Sequence, residues 1–371
     1  MKTQKDFKLG FGLMRLPKNP DGSIDIPQTA QMADAFLAAG GTHFDTAYIY
    51  DRGDSEKAFR LAVADRYPRD RYTLSSKLSA WQQCSCEAEA KQQFFTSLER
   101  TGAGYFDIFF LHALQRNNYR KYDEYHLWDF LREQKEKGLI RHIGFSFHAD
   151  AELLEELLAA HPEVDVVLMQ INYVDWEHPG FVARACYDVA ARHGKSIVVM
   201  EPLKGGALAR PPKRVSQILQ AADPQASYVS WALRFVASLD AVDIVLSGMS
   251  DLAQMEENLS LMKDFHPLSE KEQEVIRKAT QAYAGYGSIA CTACHYCTEG
   301  CPQDIPIPEI FSVYNQVQLI PAWDHGQRNY DVATHGRGRA SDCIACGQCE
   351  GACPQHLPII ELLGRCRKKM E

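Results

Sequence analysis

The chain has 371 residues, 46% of them hydrophobic, and a formal net charge of −8. That length leaves room for two domains, one of which can be a large α/β barrel. The acidic balance, with no run of basic residues, argues against nucleic acid as the main partner, and no stretch of 18 apolar residues is there to span a membrane.

From the N-terminus, short apolar runs alternate with amphipathic stretches. Strands are predicted near 9–15, 42–46, 72–77, 106–112, 140–146, 164–171, 196–202 and 242–247. Helices are predicted near 27–39, 55–66, 87–101, 123–137, 150–160, 180–193, 225–238 and 252–262. Ile108–Leu111 and Val166–Met169 are unbroken apolar runs, the pattern of parallel strands covered on both faces. Leu153, Leu154, Leu157 and Leu158 make one helical stripe, and Met32, Ala33, Phe36 and Leu37 another. Eight such units over roughly 260 residues are the size and rhythm of a (β/α)8 barrel. An open doubly wound sheet is the alternative. It normally carries a Gly-rich fingerprint after its first strand, and Gly10-Phe11-Gly12 lacks the third glycine.

Active sites of such barrels lie at the C-terminal ends of the strands. The second predicted strand runs into Asp45-Thr46-Ala47 with Tyr50 beyond it, the third ends at Lys77 and the fourth at Leu111-His112. Each could be an ordinary polar strand end; four in this order resemble the aldo/keto reductase superfamily over about residues 7–262. The resemblance implies that Asp45, Tyr50, Lys77 and His112 are a catalytic tetrad. It also implies an NAD(P)-linked interconversion of a small-molecule carbonyl and an alcohol, with Tyr50 as proton donor. The chemistry is coherent: a phenol of pKa about 10 is a reluctant acid, and a neighbouring ammonium favours its anion. Asp45 would hold Lys77 charged, and His112 would orient the carbonyl.

By the same resemblance, Ser146 and Gln170 match positions that hold a nicotinamide carboxamide. Pro202, Leu203 and Gly205 fall in a loop like the one that covers the pyrophosphate. Ser247, Gly248, Gln254, Glu257 and Asn258 fall in the adenosine-side segment. The family pattern is broken at Phe147, where Asn is common, and at Met200, where an aromatic ring is common. It is broken again at Gly248 and Gln254, where basic residues often clasp a 2′-phosphate, so NAD and NADP both stay open. Trp81 and the polar loop 113–126 are expected to shape the substrate pocket. Cys84, Cys86 and Cys186 are expected to be unreactive thiols.

A helix is predicted at 268–283, and then come two C-x2-C-x2-C-x3-C-P runs. The first is Cys291, Cys294, Cys297 and Cys301; the second is Cys343, Cys346, Cys349 and Cys353. That spacing resembles bacterial ferredoxins, in which the fourth cysteine of each run ligates the other cluster. The expectation is one [4Fe–4S] cluster on Cys291, Cys294, Cys297 and Cys353 and another on Cys343, Cys346, Cys349 and Cys301. A zinc site needs only four ligands, which these two runs exceed. Further helices are predicted at 308–319 and 358–369, so the expected architecture is a barrel (1–265), a connecting helix (266–285) and a mainly helical two-cluster domain (286–371). Together these imply the iron–sulfur-containing branch of the superfamily. Reduced thiols and the lack of a leader point to the cytoplasm. Hydride moves two electrons and a cluster one, so linking the two normally needs a flavin or a radical-tolerant intermediate, and a redox protein partner is a further expectation. The alternative function is therefore a cluster-dependent electron-transfer module feeding a flavin or partner.

Overall fold

The computed structural model describes residues 7–177, 183–319 and 326–371. The chain divides into two compact units, residues 1–202 with 229–269, and residues 203–228 with 270–371. The segment after the seventh strand therefore groups with the cysteine-rich end, which the sequence did not announce.

The first unit is a closed barrel of eight parallel strands in sequence order. They are β1 (Leu9–Gly12), β2 (His43–Asp45), β3 (Thr73–Leu78), β4 (Phe106–Leu114), β5 (Ile140–Phe147), β6 (Val166–Gln170), β7 (Ser196–Met200) and β8 (Val242–Ser247). β8 closes on β1 with Val245 opposite Leu9. The helices before β7 are α1 (Ile26–Ala38), α2 (Asp54–Phe59), α3 (Glu87–Thr101), α4 (Arg120–Glu124), α5 (Leu127–Glu136), α6 (Ala151–Ala160) and α7 (Ala183–Arg192). After it come α8 (Lys213–Ala222), α9 (Tyr228–Ala237) and α10 (Leu252–Lys263). Carboxylate caps start three of them: Asp25 accepts from the Gln28 N–H, Asp150 from Leu153 and Asp251 from Gln254. The stripes anticipated on α1 and α6 are buried.

Inside the barrel, Ile108, Phe110, Val166, Leu168, Val198, Ile244 and Leu246 fill the lumen. Phe110 fits because β5 has Gly144 opposite it; a Cβ there would lie 2.6 Å from both the Phe110 ring and the Val166 carbonyl oxygen.

Several predicted elements are shorter or split. β1 ends at Gly12, and Leu13–Arg15 form a 3-10 turn. The helix expected over 55–66 is α2 continued by a π turn over Arg60–Ala64. The one expected over 123–137 is α5, which starts only after a left-handed His126 (φ 49°), and the segment expected as a loop over 113–126 instead carries the end of β4 and the short helix α4. β7 stops at Met200 since Glu201 has φ 56° and a proline follows it. Helix α8 had no counterpart in the sequence reading. The first residues of the helix expected over 180–193 lie outside the described residues.

The second unit packs α8 against α11 (Glu270–Ala284). It continues with α12 (Ile307–Leu319), α13 (Gly326–Ala333), α14 (Gln348–Ala352) and α15 (Ile359–Met370). Its core joins Ile305, Ile310, Phe311, Tyr330, Leu363 and Cys366 to the buried cysteines. Tyr330 ties the C-terminus down: its hydroxyl donates to the Glu371 carboxylate and accepts from the Ala340 N–H at 2.8 Å.

Candidate active site and cysteine hollows

Neighbouring parallel strands set Asp45, Lys77 and His112 side by side at one end of the barrel. Asp45 lies opposite Ser75 on β3, and Lys77 opposite Phe110 on β4. Lys77, 1% exposed, donates to Asp45 Oδ2 at 2.6 Å and to the Thr46 carbonyl oxygen at 2.6 Å. The other carboxylate oxygen of Asp45 accepts from Ser75 Oγ at 2.5 Å. Lys77 Nζ is 4.7 Å from the centroid of the Tyr50 ring, and that ring meets the His112 ring edge-on with centroids 5.8 Å apart. Of the four, only Tyr50 is not fully buried. Burial pulls the Lys77 pKa down while Asp45 pushes it back up. The His112 pKa sits well below 6.5, first through burial and then through the charges of Lys77 and His148.

His112 is aimed by a bulge. The β4–β5 register slips between Leu111 and Leu114, and Ala113 takes φ 56°. Three side chains hold the bulge. Ser146 Oγ accepts from the Ala113 N–H at 2.6 Å, Asn118 Nδ2 donates to the Ala113 carbonyl at 2.9 Å, and the Tyr122 hydroxyl donates to the His112 carbonyl. Ser146 thus braces the end of β4, a task its sequence context did not reveal.

The other residues expected to meet a dinucleotide are distributed as follows. Gln170 must turn its amide nitrogen toward the acceptor-only Asp175, to which it donates at 2.7 Å. Buried Asn172 donates to the same oxygen at 2.7 Å. Asn258 is buried and donates to Ser247 Oγ at 2.9 Å. Gln254 and Glu257 are exposed, and Gln254 is folded onto Asp251 at 2.8 Å. Gly248 is exposed beside the Arg15 side chain, which a Cβ would meet at 3.3 Å. Pro202 closes the first unit; Leu203 and Gly205 belong to the second. Phe147 is buried in the barrel core. Near the predicted pocket, Trp81 Nε1 is buried without a hydrogen-bond partner among the described residues. Cys84 donates to the Ser79 carbonyl at 3.1 Å, and burial pushes its thiol pKa up, so it is not activated.

Sequence reasoning missed Arg15, Asn172, Asp175 and Glu56. Arg15 follows β1 by three residues and could have been found by extending the strand-end criterion to the first strand. Glu56 is 0% exposed, accepts from Ser76 Oγ at 2.7 Å and pairs with Arg100 at 3.3 Å. An isolated buried acid inside a helix leaves no signal in the sequence.

In the second unit the cysteines assemble across the two runs. Cys291, Cys294, Cys297 and Cys353 line one hollow. Cys301, Cys343, Cys346 and Cys349 line another. Ile307 borders both. The loops repeat each other in backbone: Ala293 and Ala345 have φ 52° and 56°, and His295 and Gly347 have φ 65° and 77°. They differ in exposure. Thr292 is buried, whereas its counterpart Ile344 is 60% exposed and Cys346 is exposed. Burial pushes the Cys297 and Cys353 thiols up and Cys349 up to about 11. Among the described residues no group of His, Cys, Asp or Glu is arranged to hold a single metal ion; each set of four thiols surrounds a hollow instead.

The aldo/keto reductase family model matches residues 8–281, and a 4Fe-4S dicluster domain model matches residues 290–357. Among curated proteins, an uncharacterized oxidoreductase of Schizosaccharomyces pombe, C215.11c, is 26% identical over 68% of this chain and 80% of its own length. Among solved structures, the holo form of aldo-keto reductase AKR11C1 from Bacillus halodurans superposes with a TM-score of 0.61 at 23% identity, covering 73% of this chain and 91% of that one. An aldo/keto reductase from Klebsiella pneumoniae in complex with NADP and acetate gives 0.60 at 20% identity, covering 74% and 91%. Those two likenesses show the fold.

Proposed function

The chain belongs to the aldo/keto reductase family, carries a 4Fe-4S dicluster domain and is an oxidoreductase; from that premise we propose that it interconverts a carbonyl and an alcohol with a nicotinamide dinucleotide, Tyr50 being the proton donor. One observation carries the reading: Lys77, held by Asp45 at 2.6 Å, presents its ammonium 4.7 Å from the Tyr50 ring. A bound nicotinamide supplies or accepts the hydride; the proton is the business of this chain. The Lys77 charge stabilises the tyrosinate left when Tyr50 gives its proton to the substrate oxygen. Asp45 offsets the burial that would otherwise neutralise Lys77. His112, neutral near pH 7, hydrogen-bonds and orients the substrate oxygen, and the bulge at Ala113 keeps its ring in place.

The residues fit a dinucleotide where they can be tested. Gly205 and Gly206 are exposed with φ 63° and 91°, and a Cβ on Gly206 would touch nothing within 4 Å, so a phosphate could approach the backbone closely. Arg15, which pairs with Glu201 at 3.7 Å, lies beside Gly248 on the barrel side. Asp175 fixes the amide orientation of Gln170, which we assign to the carboxamide together with Ser146. Pro202 and Leu203 lead into the pyrophosphate loop, and Ser247, Gly248, Gln254, Glu257 and Asn258 form the adenosine side. With no basic side chain at positions 248 and 254, both NAD and NADP are proposed as cofactors.

Cys291, Cys294, Cys297 and Cys353 would hold one [4Fe–4S] cluster, and Cys343, Cys346, Cys349 and Cys301 the other. Crossed pairing of two runs is the ferredoxin arrangement. Buried thiols whose pKa values are raised need a bound cation to stand as thiolates. Such clusters supply one-electron chemistry when bound. A second reading, electron exchange with a flavin or a redox protein, is favoured by the exposure of Cys346.

The test is anaerobic turnover of a panel of aldehydes and ketones, followed by NADH and NADPH absorbance. The reading expects stoichiometric nicotinamide oxidation and alcohol formation with at least one carbonyl class. Nicotinamide-dependent bleaching of the cluster band without any alcohol product would favour the second reading instead.

A further inference from the structure

The loop that follows β7 and the first cysteine run meet backbone to backbone. A Cβ on Gly205 would lie 2.7 Å from the Thr292 carbonyl oxygen and 3.0 Å from its Cα. No side chain fits there without displacing the main chain of the Cys291–Cys294 loop. Thr292 is 2% exposed and Lys204, beside the glycine, is 3% exposed. The loop itself is tightly folded: the N–H groups of Gly206 and Leu208 both donate to the Leu203 carbonyl, at 3.0 and 3.1 Å. A second tie follows a few residues on, where the Arg214 N–H donates to the Tyr286 hydroxyl at 3.1 Å and α8 packs on α11. The arrangement is specific to one run, because Ile344, the counterpart of Thr292, is 60% exposed.

We propose that Thr292 is a positioning residue for the dinucleotide loop after β7, so that seating of iron at Cys291, Cys294, Cys297 and Cys353 and binding of the dinucleotide are linked. This rests on the reading that the dinucleotide lies against Gly205 and Gly206. The physical basis is the cysteine spacing. Cys291 and Cys294 flank Thr292, and ligation at both ends fixes its carbonyl, which in turn fixes how closely Gly205 can approach. Linkage of this kind is reciprocal: if the loaded first site favours the loop conformation that binds dinucleotide, bound dinucleotide must retain iron at that site.

The experiment uses the full, cluster-loaded chain under anaerobic conditions. Iron release to a chelator is followed by loss of visible absorbance, with and without saturating NADH or NADPH, and dinucleotide binding is measured separately by fluorescence. In the natural chain, dinucleotide should slow one of two phases of iron release about 10-fold, a typical coupling, and leave the other phase unchanged. Gly205→Ala should reduce that slowing to less than about twofold and raise KM for the dinucleotide by a similar factor, with kcat little changed. Gly336→Ala, equally left-handed in backbone (φ 69°), touching nothing and outside the dinucleotide loop, should retain the slowing. If the dinucleotide binds and neither phase of iron release changes, the linkage is wrong while the functional reading stands. Full slowing in Gly205→Ala would also overturn it. If no dinucleotide binds the natural chain, the functional reading fails and the linkage fails with it. The natural chain alone decides the matter should Gly205→Ala fold poorly.

Discussion

Lys77 is a lysine with almost no water, held between a carboxylate and a carbonyl oxygen and facing a phenol ring. Its place near a strand end was legible in the sequence, as were those of Asp45 and His112, from their order along three successive predicted strands; only His112 follows an unbroken apolar run. What was not legible is the company they keep. Ser75 on Asp45 and Ser146 on the His112 bulge are contacts between distant segments, Tyr122 reaches back ten residues to His112 and Asp175 five to Gln170, and no periodic pattern records any of them. A further buried imidazole, His43, lies two residues before Asp45 and bonds to Thr73 Oγ1 at 3.0 Å and Ser75 Oγ at 3.2 Å. Burial lowers its pKa to about 4. The unfolded chain takes up a proton at this residue near pH 6.5, whereas the folded chain does so only near pH 4. The His43 contribution is therefore intact above pH 6.5 and is lost as pH falls from 6.5 to 4, by roughly 3 kcal/mol in all. Urea unfolding of the natural chain and of His43→Gln across that range should show the variant losing distinctly less stability with acid. Parallel losses in the two would mean that His43 carries none of the acid sensitivity.

At the scale of elements, eight strand–helix units were readable because strands such as β4 and β6 carry unbroken apolar runs and covering helices such as α1 and α6 keep a one-sided stripe. The failures have local causes. A left-handed His126 delays the start of one expected helix, a left-handed Glu201 ends β7 early, and β1 gives way to a 3-10 turn. α8 was overlooked although Val215 and Leu219 are its buried positions, because two apolar residues four apart are a thin signal. Gly144 shows what strand periodicity does not disclose. Its missing side chain is the space the Phe110 ring occupies, and the Val166 carbonyl leaves no way round. Gly144→Ala should cost about 2 kcal/mol or more, as overpacking of a filled core does, measured as a lowered urea midpoint with an unchanged m-value. A midpoint equal to that of the natural chain would show that β5 and β6 move apart freely.

For the whole molecule, the cysteine spacing announced which eight thiols matter and how they cross between runs, and the two hollows are lined by the expected sets. The division of the chain was harder to read. Residues 203–228 look like part of a barrel in sequence, yet they pack with the cysteine-rich unit. Contacts that join them to it include the backbone approach at Gly205, the Arg214–Tyr286 hydrogen bond and the packing of α8 on α11, none of which has a sequence pattern. The loop after β7 and the first cysteine run fall in one compact unit, while Asp45, Tyr50, Lys77 and His112, to which proton chemistry is assigned under the proposed function, fall in the other. That proton chemistry is the central claim, and it is tested most directly by turnover of Tyr50→Phe on whichever carbonyl the natural chain reduces, with dinucleotide affinity and cluster absorbance measured on the same sample. The account predicts a loss of roughly 10²- to 10⁴-fold in turnover, the range for a removed general acid, with affinity and absorbance unchanged. Near-native turnover in that variant would contradict it.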